Sequence, residues 1–432
     1  MPSAGLELRA GFRRQTMIIA GRLVDSDSMT PGQIRIEGEQ IVEVGPRLGR
    51  ADVEFDDDCL IFAGMGDIHI HARDDVSERE IHKEDFRTAA AAAIHGGVVH
   101  VADMPNNPAA PIDDASYLAK RRHLESRNVP ITVTLYAGIG PDTRPLSFAV
   151  PYKVYMGPSV GDLFFTSLED LDQTLSRYRG CHVSFHCEDP ILLAAHRNEP
   201  THERRRPPAC EVSATRFALA MIEKYDLTGK LCHYSVGEGL PLIRDARRRG
   251  LKVTCEVTPH HLFFDETQIT DDNRGRLQMN PPLRAPSDRK ALLEALRDGT
   301  IDYLATDHAP HTLAEKEDRA KSPSGQPHLD TYGPFVTWLI VEEGFTPERI
   351  AAVCSANPGN FVNPYVDKSG TSPLRFGRIE RGYTASLSVL NLAQPVTVRR
   401  EDLKTKCGWS PFEGLTFPGS VEAVFLRGRR VL

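Results

Sequence analysis

The chain has 432 residues, of which 40% are hydrophobic and 26% are charged, as is usual for soluble globular proteins. Its net charge of -7 argues against a nucleic-acid partner, and no apolar run reaches the ~18–20 residues that a membrane span requires. The eight cysteines form no C-x-x-C pair and the N-terminus has no apolar signal-peptide core, which together predict reduced thiols in a cytoplasmic protein.

The two ends of the chain carry similar signals for short β-strands. Residues 1–16 have no clear pattern and are predicted to form a loose tail, whereas residues 17–58 alternate strand-like runs with turns. Residues 369–432 show the same alternation of short strand-like runs with turns. We therefore expect the two stretches to build one small β-sandwich domain together. The predicted strands are residues 17–19, 33–36, 40–44, 385–390, 395–399 and 421–426.

Residues 59–368 alternate apolar strand-like runs with helical patterns. Strands that alternate with helices predict a parallel sheet, and eight of them predict a closed (β/α)8 barrel. A doubly wound open sheet is the alternative, but the chain has no Gly-x-Gly-x-x-Gly turn after a first strand and no Walker-type phosphate loop. The predicted strands are residues 61–70, 98–102, 131–137, 152–156, 182–186, 231–234, 251–257 and 301–305. The predicted helices are residues 85–95, 115–126, 168–178, 213–224, 240–248 and 288–296, the fourth of which opens on Ser213 as its cap.

The first barrel strand carries a His-x-His pair. His69 and His71 alternate with isoleucines, so both imidazoles project from the same face of the strand. Two imidazoles held side by side on a rigid element are half of a metal site. A single pair of this kind also occurs by chance, so the other strands decide between the two interpretations.

Polar residues near the ends of later strands complete a set of candidate metal ligands. In a (β/α)8 barrel, catalytic groups lie at the C-terminal ends of the strands. Taken singly, a lysine there is usually a surface residue and a histidine is usually structural. Together the set predicts a divalent metal centre whose imidazoles and carboxylate suit zinc, with cobalt or manganese as substitutes. The candidate ligands are His69, His71, Lys153, His186, His233 and Asp307.

Lys153 is the exceptional member of this set, because an ammonium group repels metal ions. In its neutral amine form, a lysine can capture carbon dioxide and become a carbamate. A carbamate has two oxygens and can bridge a pair of metal ions, which then share a hydroxide that is nucleophilic at neutral pH.

Several motifs occur in a fixed order around these residues: GDIHIHARDD, ADMPNNPAAPI, YKVYMG, FHCED, CHYSVGEG, VTCEVTPHHLFF, QMNPPLR and IDYLATDHAPH. Together they resemble the dihydroorotases of the amidohydrolase superfamily, from Met17 to the C-terminus. The resemblance implies a (β/α)8 barrel with a small β-sandwich. It also implies a binuclear zinc centre on the six candidate ligands, bridged by carboxylated Lys153 and a hydroxide. At position 66 the family usually has an aliphatic residue, whereas this chain has glycine.

The groups around the metal centre predict the substrate. Arg73 projects from the same strand face as the histidine pair, and a guanidinium there can clamp a carboxylate with two hydrogen bonds. This arrangement favours dihydroorotate, because the substrates of hydantoinases, dihydropyrimidinases and allantoinases lack that carboxylate. Asn106 and His311 match the positions with which dihydroorotases hold the same group. Asn280 and residues 324–325 resemble the family's ring contacts.

The implied reaction is the reversible hydrolysis of a cyclic amide. Asp307 takes the hydroxide proton and delivers it to the leaving nitrogen, and in reverse N-carbamoyl-aspartate closes to dihydroorotate during pyrimidine synthesis. The expected partners are this small-molecule substrate, further copies of the chain and aspartate carbamoyltransferase. Three alternatives stay open: action on another cyclic amide, an inactive barrel that serves as an assembly partner, and a barrel whose histidines are structural.

Cys232 and Glu256 permit two interpretations. Together with His186 they could form a third metal site near the first two. The favoured interpretation is that Cys232 is a buried thiol and that the Glu256 carboxylate orients a ligand histidine.

Overall fold

The computed structural model describes residues 16–159, 161–318, 320–366 and 373–432. The predicted N-terminal tail lies outside these ranges up to residue 15, and so does the predicted domain boundary between residues 368 and 369. The division of the chain at that boundary therefore stays a prediction.

The strands of the described residues lie in two groups, one contributed by both chain ends and one by the middle of the chain. In chain order they are β1 (Thr16–Asp25), β2 (Ser28–Glu37), β3 (Gln40–Gly45), β4 (Val53–Glu54), β5 (Cys59–Ala63), β6 (Met65–Ile70), β7 (Val98–Asp103), β8 (Thr132–Leu135), β9 (Ala137–Ile139), β10 (Tyr152–Tyr155), β11 (His182–His186), β12 (Thr228–Leu231), β13 (Val253–Val257), β14 (Tyr303–Leu304), β15 (Leu387–Asn391), β16 (Val396–Thr397), β17 (Thr416–Phe417), β18 (Ser420–Leu426) and β19 (Arg429–Arg430).

The helices lie mainly between the strands of the middle group. Across the described ranges, none is long and apolar enough to cross a membrane. They are α1 (Phe86–His95), α2 (Asp114–Arg127), α3 (Leu168–Leu175), α4 (Pro190–His196), α5 (His202–Arg205), α6 (Pro208–Tyr225), α7 (Leu240–Arg248), α8 (Pro259–Phe263), α9 (Arg274–Leu277), α10 (Pro286–Asp298), α11 (Leu313–Glu317), α12 (Tyr332–Val341), α13 (Pro347–Ala351) and α14 (Asn357–Val362).

The two chain ends build one sheet, as predicted. Its strand order is β19-β18-β15-β5-β1-β2-β3, with β4 beside β1. The C-terminal strand β15 runs antiparallel to β5, with Val389 opposite Ile61, and both side chains are fully buried. Because β5 is followed almost directly by β6, this sheet fixes where the first strand of the barrel begins.

The strands from β6 to β14 form the barrel. Parallel pairing joins β6-β7-β8 in one arc and β9-β10-β11-β12-β13-β14 in another. Only Tyr136 separates β8 from β9, and a parallel bridge between Ile70 and His308 links the end of β6 to the segment after β14. The predicted (β/α)8 fold class is confirmed, and the open sheet is excluded.

The first predicted strand, residues 61–70, is two strands that belong to different sheets. β5 pairs with the chain ends, whereas β6 pairs with β7 in the barrel. Gly64 separates them, and its backbone N–H donates to the Ser386 carbonyl at 2.8 Å. A Cβ at this position would lie 2.3 Å from a Val99 methyl carbon, so only glycine fits where the chain passes between the two sheets.

The predicted start of the fourth helix was wrong. α6 begins at Pro208 rather than after Ser213, because proline fits the first turn of a helix, where its missing N–H is not needed. Ser213 lies inside the helix, and its hydroxyl donates to Asp189 Oδ2 at 2.6 Å. The first predicted helix begins one residue later than predicted, because Asp85 is its cap and accepts hydrogen bonds from the backbone N–H groups of Arg87 and Thr88.

The His100 ring occupies the space beside Gly66 that a side chain would otherwise fill. A Cβ at Gly66 would lie 1.9 Å from His100 Cε1. His100 is 1% exposed, its ring centroid lies 4.8 Å from that of Phe376, and burial lowers its pKa to about 3. The departure of Gly66 from the family pattern therefore has a packing explanation: a neutral histidine on β7 takes the place of an aliphatic side chain on β6.

We expect Gly66→Ala to destabilise the protein by about 1–3 kcal/mol, because the new methyl group overlaps the His100 ring. His100→Ala should also destabilise the fold, through the cavity that it leaves. In the double variant the alanine methyl enters that cavity, so the two losses should be less than additive by at least about 1 kcal/mol. Urea unfolding of the three variants measures this coupling. Additivity within about 0.5 kcal/mol would show that the two positions do not interact.

Candidate metal centre and substrate pocket

The predicted ligand residues converge at the C-terminal end of the barrel. His69 lies in β6, Lys153 in β10 and His186 at the last position of β11, while His233 and Asp307 follow β12 and β14. The Asp67 carboxylate ties the first strand to the last, since Oδ1 accepts the backbone N–H of Thr306 at 3.0 Å. The residue before Asp307 is thereby fixed against the strand that carries the histidine pair.

The first group of candidate ligands surrounds the Asp307 carboxylate. Asp307 Oδ1 lies 2.9 Å from His71 Nε2 and 3.2 Å from His69 Nε2. The ligand atoms of these three residues all lie within 4.8 Å of one another. Two imidazole nitrogens and a carboxylate oxygen directed at one point are a donor set that suits a divalent cation.

The second group adjoins the first. His186 Nδ1 and His233 Nε2 face each other at 2.9 Å, and the His233 ring centroid is 5.3 Å from that of His69. Lys153 is completely buried, and its Nζ has no hydrogen-bond partner among the described residues. It lies 5.1 Å from the centroid of the Tyr155 ring. A buried amine without a hydrogen-bond partner fits a residue that is modified or shares in binding a metal.

Buried carboxylates outside these groups orient two of the rings. Glu256 accepts a hydrogen bond from His69 Nδ1, and Glu188 Oε2 accepts one from His186 Nε2 at 2.7 Å. A carboxylate only accepts, so it keeps the proton on the nitrogen that faces it and leaves the opposite nitrogen free to bind a metal. Lys230 pairs with Glu256 in turn, and Arg206 pairs with Glu188.

The electrostatics of the first group favour a positive charge. Burial opposes protonation of His69, but the Glu256 and Asp307 carboxylates outweigh it and raise the pKa of His69 to about 10. Burial also disfavours ionisation of Glu256, yet Lys230 and His69 lower its pKa to about 2. His69 and His71 likewise hold the pKa of the buried Asp307 carboxyl well below its ordinary value, so both carboxylates are ionised. A metal cation beside His69 Nε2 would take the place of the proton on that nitrogen.

The possible third metal site has a different composition from the one predicted. Cys232 and Glu256 group with His69 rather than with His186. Glu256 is already hydrogen-bonded to His69 and paired with Lys230. These contacts favour the interpretation of Glu256 as an orienting carboxylate.

Arg73 lies at the edge of the cavity that contains both groups. Its side chain is buried, with Nε donating to the Pro310 carbonyl and Nη2 donating to His311 Nε2, each at 3.2 Å. Burial and the Arg73 cation hold the pKa of His311 well below its ordinary value, so the imidazole accepts this bond as a neutral ring. Asn106 lies nearby, and its Oδ1 is 2.7 Å from His71 Nδ1. It therefore contacts a candidate ligand as well as the cavity.

Asn280 and the segment around Ser324 and Gly325 also line the cavity, and the Ser324 carbonyl oxygen lies 3.2 Å from His311 Nε2. Asn280 Nδ2 donates to the Ser159 hydroxyl at 3.4 Å, and its buried Oδ1 has no hydrogen-bond partner within the described ranges. Among the predicted residues, Lys153 and His311 lie just behind the surface rather than on it. The lining residues are His69, His71, Arg73, Asn106, Tyr155, Ser159, His186, His233, Asn280, Asp307, Ala309, Ser324 and Gly325.

Three of the candidate residues have left-handed backbone conformations. The φ angles are 57° at Arg73, 36° at His233 and 50° at Asp307. This region costs residues other than glycine roughly 1–3 kcal/mol and recurs at functional sites. The surrounding hydrogen bonds hold these residues in place where each strand turns into its loop.

The comparisons with known proteins agree with this architecture. The model of the amidohydrolase family matches residues 176–431. The chain is 31% identical over 436 residues to the dihydroorotase of Macrococcus caseolyticus, an alignment that covers 96% of this chain and 97% of that protein. The chain belongs to the dihydroorotase family of amidohydrolases. The Pyrococcus furiosus dihydroorotase, another relative, is 30% identical over 96% of this chain and 92% of its own length.

Solved structures similar to this dihydroorotase-family chain share its fold. The L-hydantoinase (dihydropyrimidinase) from Arthrobacter aurescens superposes with a TM-score of 0.83 at 23% identity, covering 96% of this chain and 95% of the other. The dihydropyrimidinase from Brevibacillus agri gives a TM-score of 0.83 at 22% identity, with 97% and 95% coverage. Dihydroorotase-family proteins are generally metal-dependent, in keeping with the candidate ligands described above.

Sequence reasoning did not identify several residues that contact the site of this family member. Tyr155 and Ser159 line the cavity, and Glu188 orients His186. Glu188 follows His186 by two positions in the motif FHCED, and an acidic residue so placed beyond a ligand histidine is a usable signal. Arg206, the partner of Glu188, is remote in sequence and gives no such signal.

Proposed function

We propose that this protein is a dihydroorotase: it hydrolyses the cyclic amide of dihydroorotate to N-carbamoyl-L-aspartate and catalyses the reverse cyclisation in de novo pyrimidine (UMP) biosynthesis. The observation that carries this proposal is the position of Arg73, whose buried guanidinium borders the same cavity as the candidate ligands. The dihydroorotase relatives in distant organisms support it.

The donor set supports a binuclear zinc centre. His69, His71 and Asp307 would hold one ion and His186 and His233 would hold a second, with carboxylated Lys153 supplying further oxygen ligands. Zinc ions bound there would polarise the amide carbonyl and make water acidic enough to lose a proton near neutral pH. A third ion beside Cys232 is not needed for this chemistry.

Most of the other cavity residues bind the substrate, whereas Asp307 transfers protons. Arg73 holds the substrate carboxylate with two charge-assisted hydrogen bonds, and Asn106 and His311 complete its environment. Asn280 and the backbone of residues 324–325 contact the ring. In hydrolysis, water oxygen adds to the carbonyl carbon while Asp307 accepts a water proton. Asp307 then delivers this proton to the ring nitrogen as the C–N bond breaks, and the new carboxyl group loses the other water proton to solvent at neutral pH.

The assembly and location of the protein are part of the same proposal. We expect a cytoplasmic homo-oligomer, and we also propose an association with aspartate carbamoyltransferase, the enzyme that supplies N-carbamoyl-aspartate. Sedimentation of the purified protein, alone and with that enzyme, measures both.

A single set of assays tests the proposed function. Purified protein should contain about two zinc ions per chain and should interconvert dihydroorotate and N-carbamoyl-aspartate. Dihydrouracil, hydantoin and allantoin, which lack the carboxylate, should react far more slowly. A zinc-loaded sample that is inactive on dihydroorotate in both directions would contradict the assignment, and activity on the uncharged rings alone would favour another cyclic amidohydrolase.

A further inference from the structure

Lys316 is a buried lysine close to the residues that line the cavity, and the proposed mechanism does not use it. It lies in α11 and is 1% exposed. Its Nζ donates to the Gln278 carbonyl at 3.0 Å and to the Pro323 carbonyl at 2.6 Å, and lies 6.0 Å from the centroid of the Trp409 ring. Burying an amine is unfavourable unless its N–H groups are hydrogen-bonded, so this position requires both carbonyl partners.

The two carbonyl groups belong to the two segments that form one wall of the cavity. Gln278 precedes Asn280 by two positions, and Pro323 immediately precedes Ser324 and Gly325. Direct bonds also join the segments: the Gly325 N–H donates to the Gln278 carbonyl at 3.0 Å. The Gln278 side-chain amide donates to the Ser322 carbonyl at 2.5 Å. Lys316 thus completes a set of bonds that hold the Asn280 segment against the residues that follow Pro323.

This wall has little freedom to move. A Cβ at Gly325 would lie 2.5 Å from the Ala309 carbonyl oxygen and 3.1 Å from His311 Cδ2. The Gly325 backbone is therefore packed against the segment that contains Ala309 and His311, and His311 is one of the proposed carboxylate-binding residues. A small displacement of the wall would change its distance to any ring held by Arg73.

A lysine side chain suits this connection in either protonation state. Burial and the nearby Arg73 cation lower the pKa of Lys316 to about 7, while Glu315 opposes this shift. Both the ammonium and the neutral amine have at least two N–H donors, one for each carbonyl. The bridge between the two segments is therefore kept on both sides of neutral pH.

We propose that Lys316 is a positioning residue that fixes the width of the substrate pocket by bridging the Gln278 and Pro323 carbonyls, and that it thereby determines the affinity for the substrate ring. This inference rests on the proposed function of the cavity. Lys316 itself contacts neither the substrate nor the candidate metal ligands.

The test is the steady-state kinetics of Lys316→Met on dihydroorotate, with zinc content measured alongside. Loss of the bridge should raise KM roughly tenfold while kcat stays within about twofold, because the interaction lost affects ring binding rather than proton transfer. Zinc per chain should be unchanged. The control is Lys321→Met, the same change at an exposed position of the same segment, and it should match the wild type.

Gln278→Ala removes a second bond between the same two segments and should raise KM in the same direction by a smaller factor. If Lys316→Met does not fold, the kinetics of Gln278→Ala test the proposal in its place. An unchanged KM in the soluble variants, or a fall in kcat equal to the rise in KM, would overturn the positioning role. Wild-type protein that does not hydrolyse dihydroorotate would instead contradict the proposed function.

Discussion

Replacing Asp307 with asparagine is expected to lower kcat for dihydroorotate hydrolysis by about 10²–10⁴-fold, the usual contribution of a positioned acid–base group. The amide cannot accept a proton from water, yet it keeps an oxygen near His69 Nε2 and His71 Nε2, the two atoms that Asp307 now contacts. Zinc content should therefore remain close to that of the wild type. Stopped assays with parallel metal analysis measure the two quantities together.

The matched control for this variant is Asp271→Asn, the same change at an exposed loop position, which should leave both quantities unchanged. Normal turnover in Asp307→Asn would exclude the proton-transfer role. Loss of zinc together with activity would instead show that Asp307 acts mainly as a ligand.

Replacing Arg73 with methionine should weaken the preference for dihydroorotate over substrates that lack a carboxylate. Truncating one partner of a buried charge pair typically costs about 2–5 kcal/mol, so kcat/KM for dihydroorotate should fall by about 30- to 5,000-fold. Dihydrouracil has no carboxylate, so its slow hydrolysis should change little. The glutamate closest to the guanidinium, Glu80, stays paired with Lys83 at 2.8 Å, which limits damage to the fold.

Arg79→Met is the control, because Arg79 is exposed and lies only six positions further along the chain. The informative quantity is the ratio of kcat/KM values for the two substrates, since it cancels any loss of folded protein. An equal fall for both substrates would mean that Arg73 supports the architecture of the site and does not recognise the carboxylate.

Local periodicity accounts for the predicted barrel and its candidate ligands, whereas Asn106, His311 and Asn280 were predicted from the resemblance to dihydroorotases. The alternation of His69 and His71 with isoleucines indicated that both rings lie on one face of the strand. Because the C-terminal ends of all strands in a (β/α)8 barrel lie on the same side of the barrel, the polar residues at the later strand ends were expected nearby. The sequence could not show that a strand-like run divides at Gly64, because both halves are apolar and the division depends on the pairing of β5 with β15. The same limit applies to the start of α6, where the Pro208 position outweighed a plausible serine cap.

The supporting contacts of the site were the least predictable. Glu256 in β13 contacts His69 although it lies 187 positions further along the chain, and nothing in the local pattern of either residue indicates the other. The same is true of the Lys316 bridge, which depends on where two loops pass each other. Such contacts follow from the tertiary fold. The sequence therefore indicated that Glu256 orients a ligand histidine, but not that this histidine is His69, and it did not indicate the role of Glu188.

The pairing of the two chain ends has a consequence for biosynthesis. The Ser388 hydroxyl in β15 accepts the N–H of Met65, a residue 323 positions earlier. At roughly 5–20 residues per second, a ribosome needs about 16–65 seconds to cover that distance. During this interval the apolar β5 has no C-terminal neighbour. The terminal sheet, and with it the anchoring of the strand that carries His69, is therefore completed late in translation, which makes the nascent chain a candidate for chaperone protection before metal can be loaded.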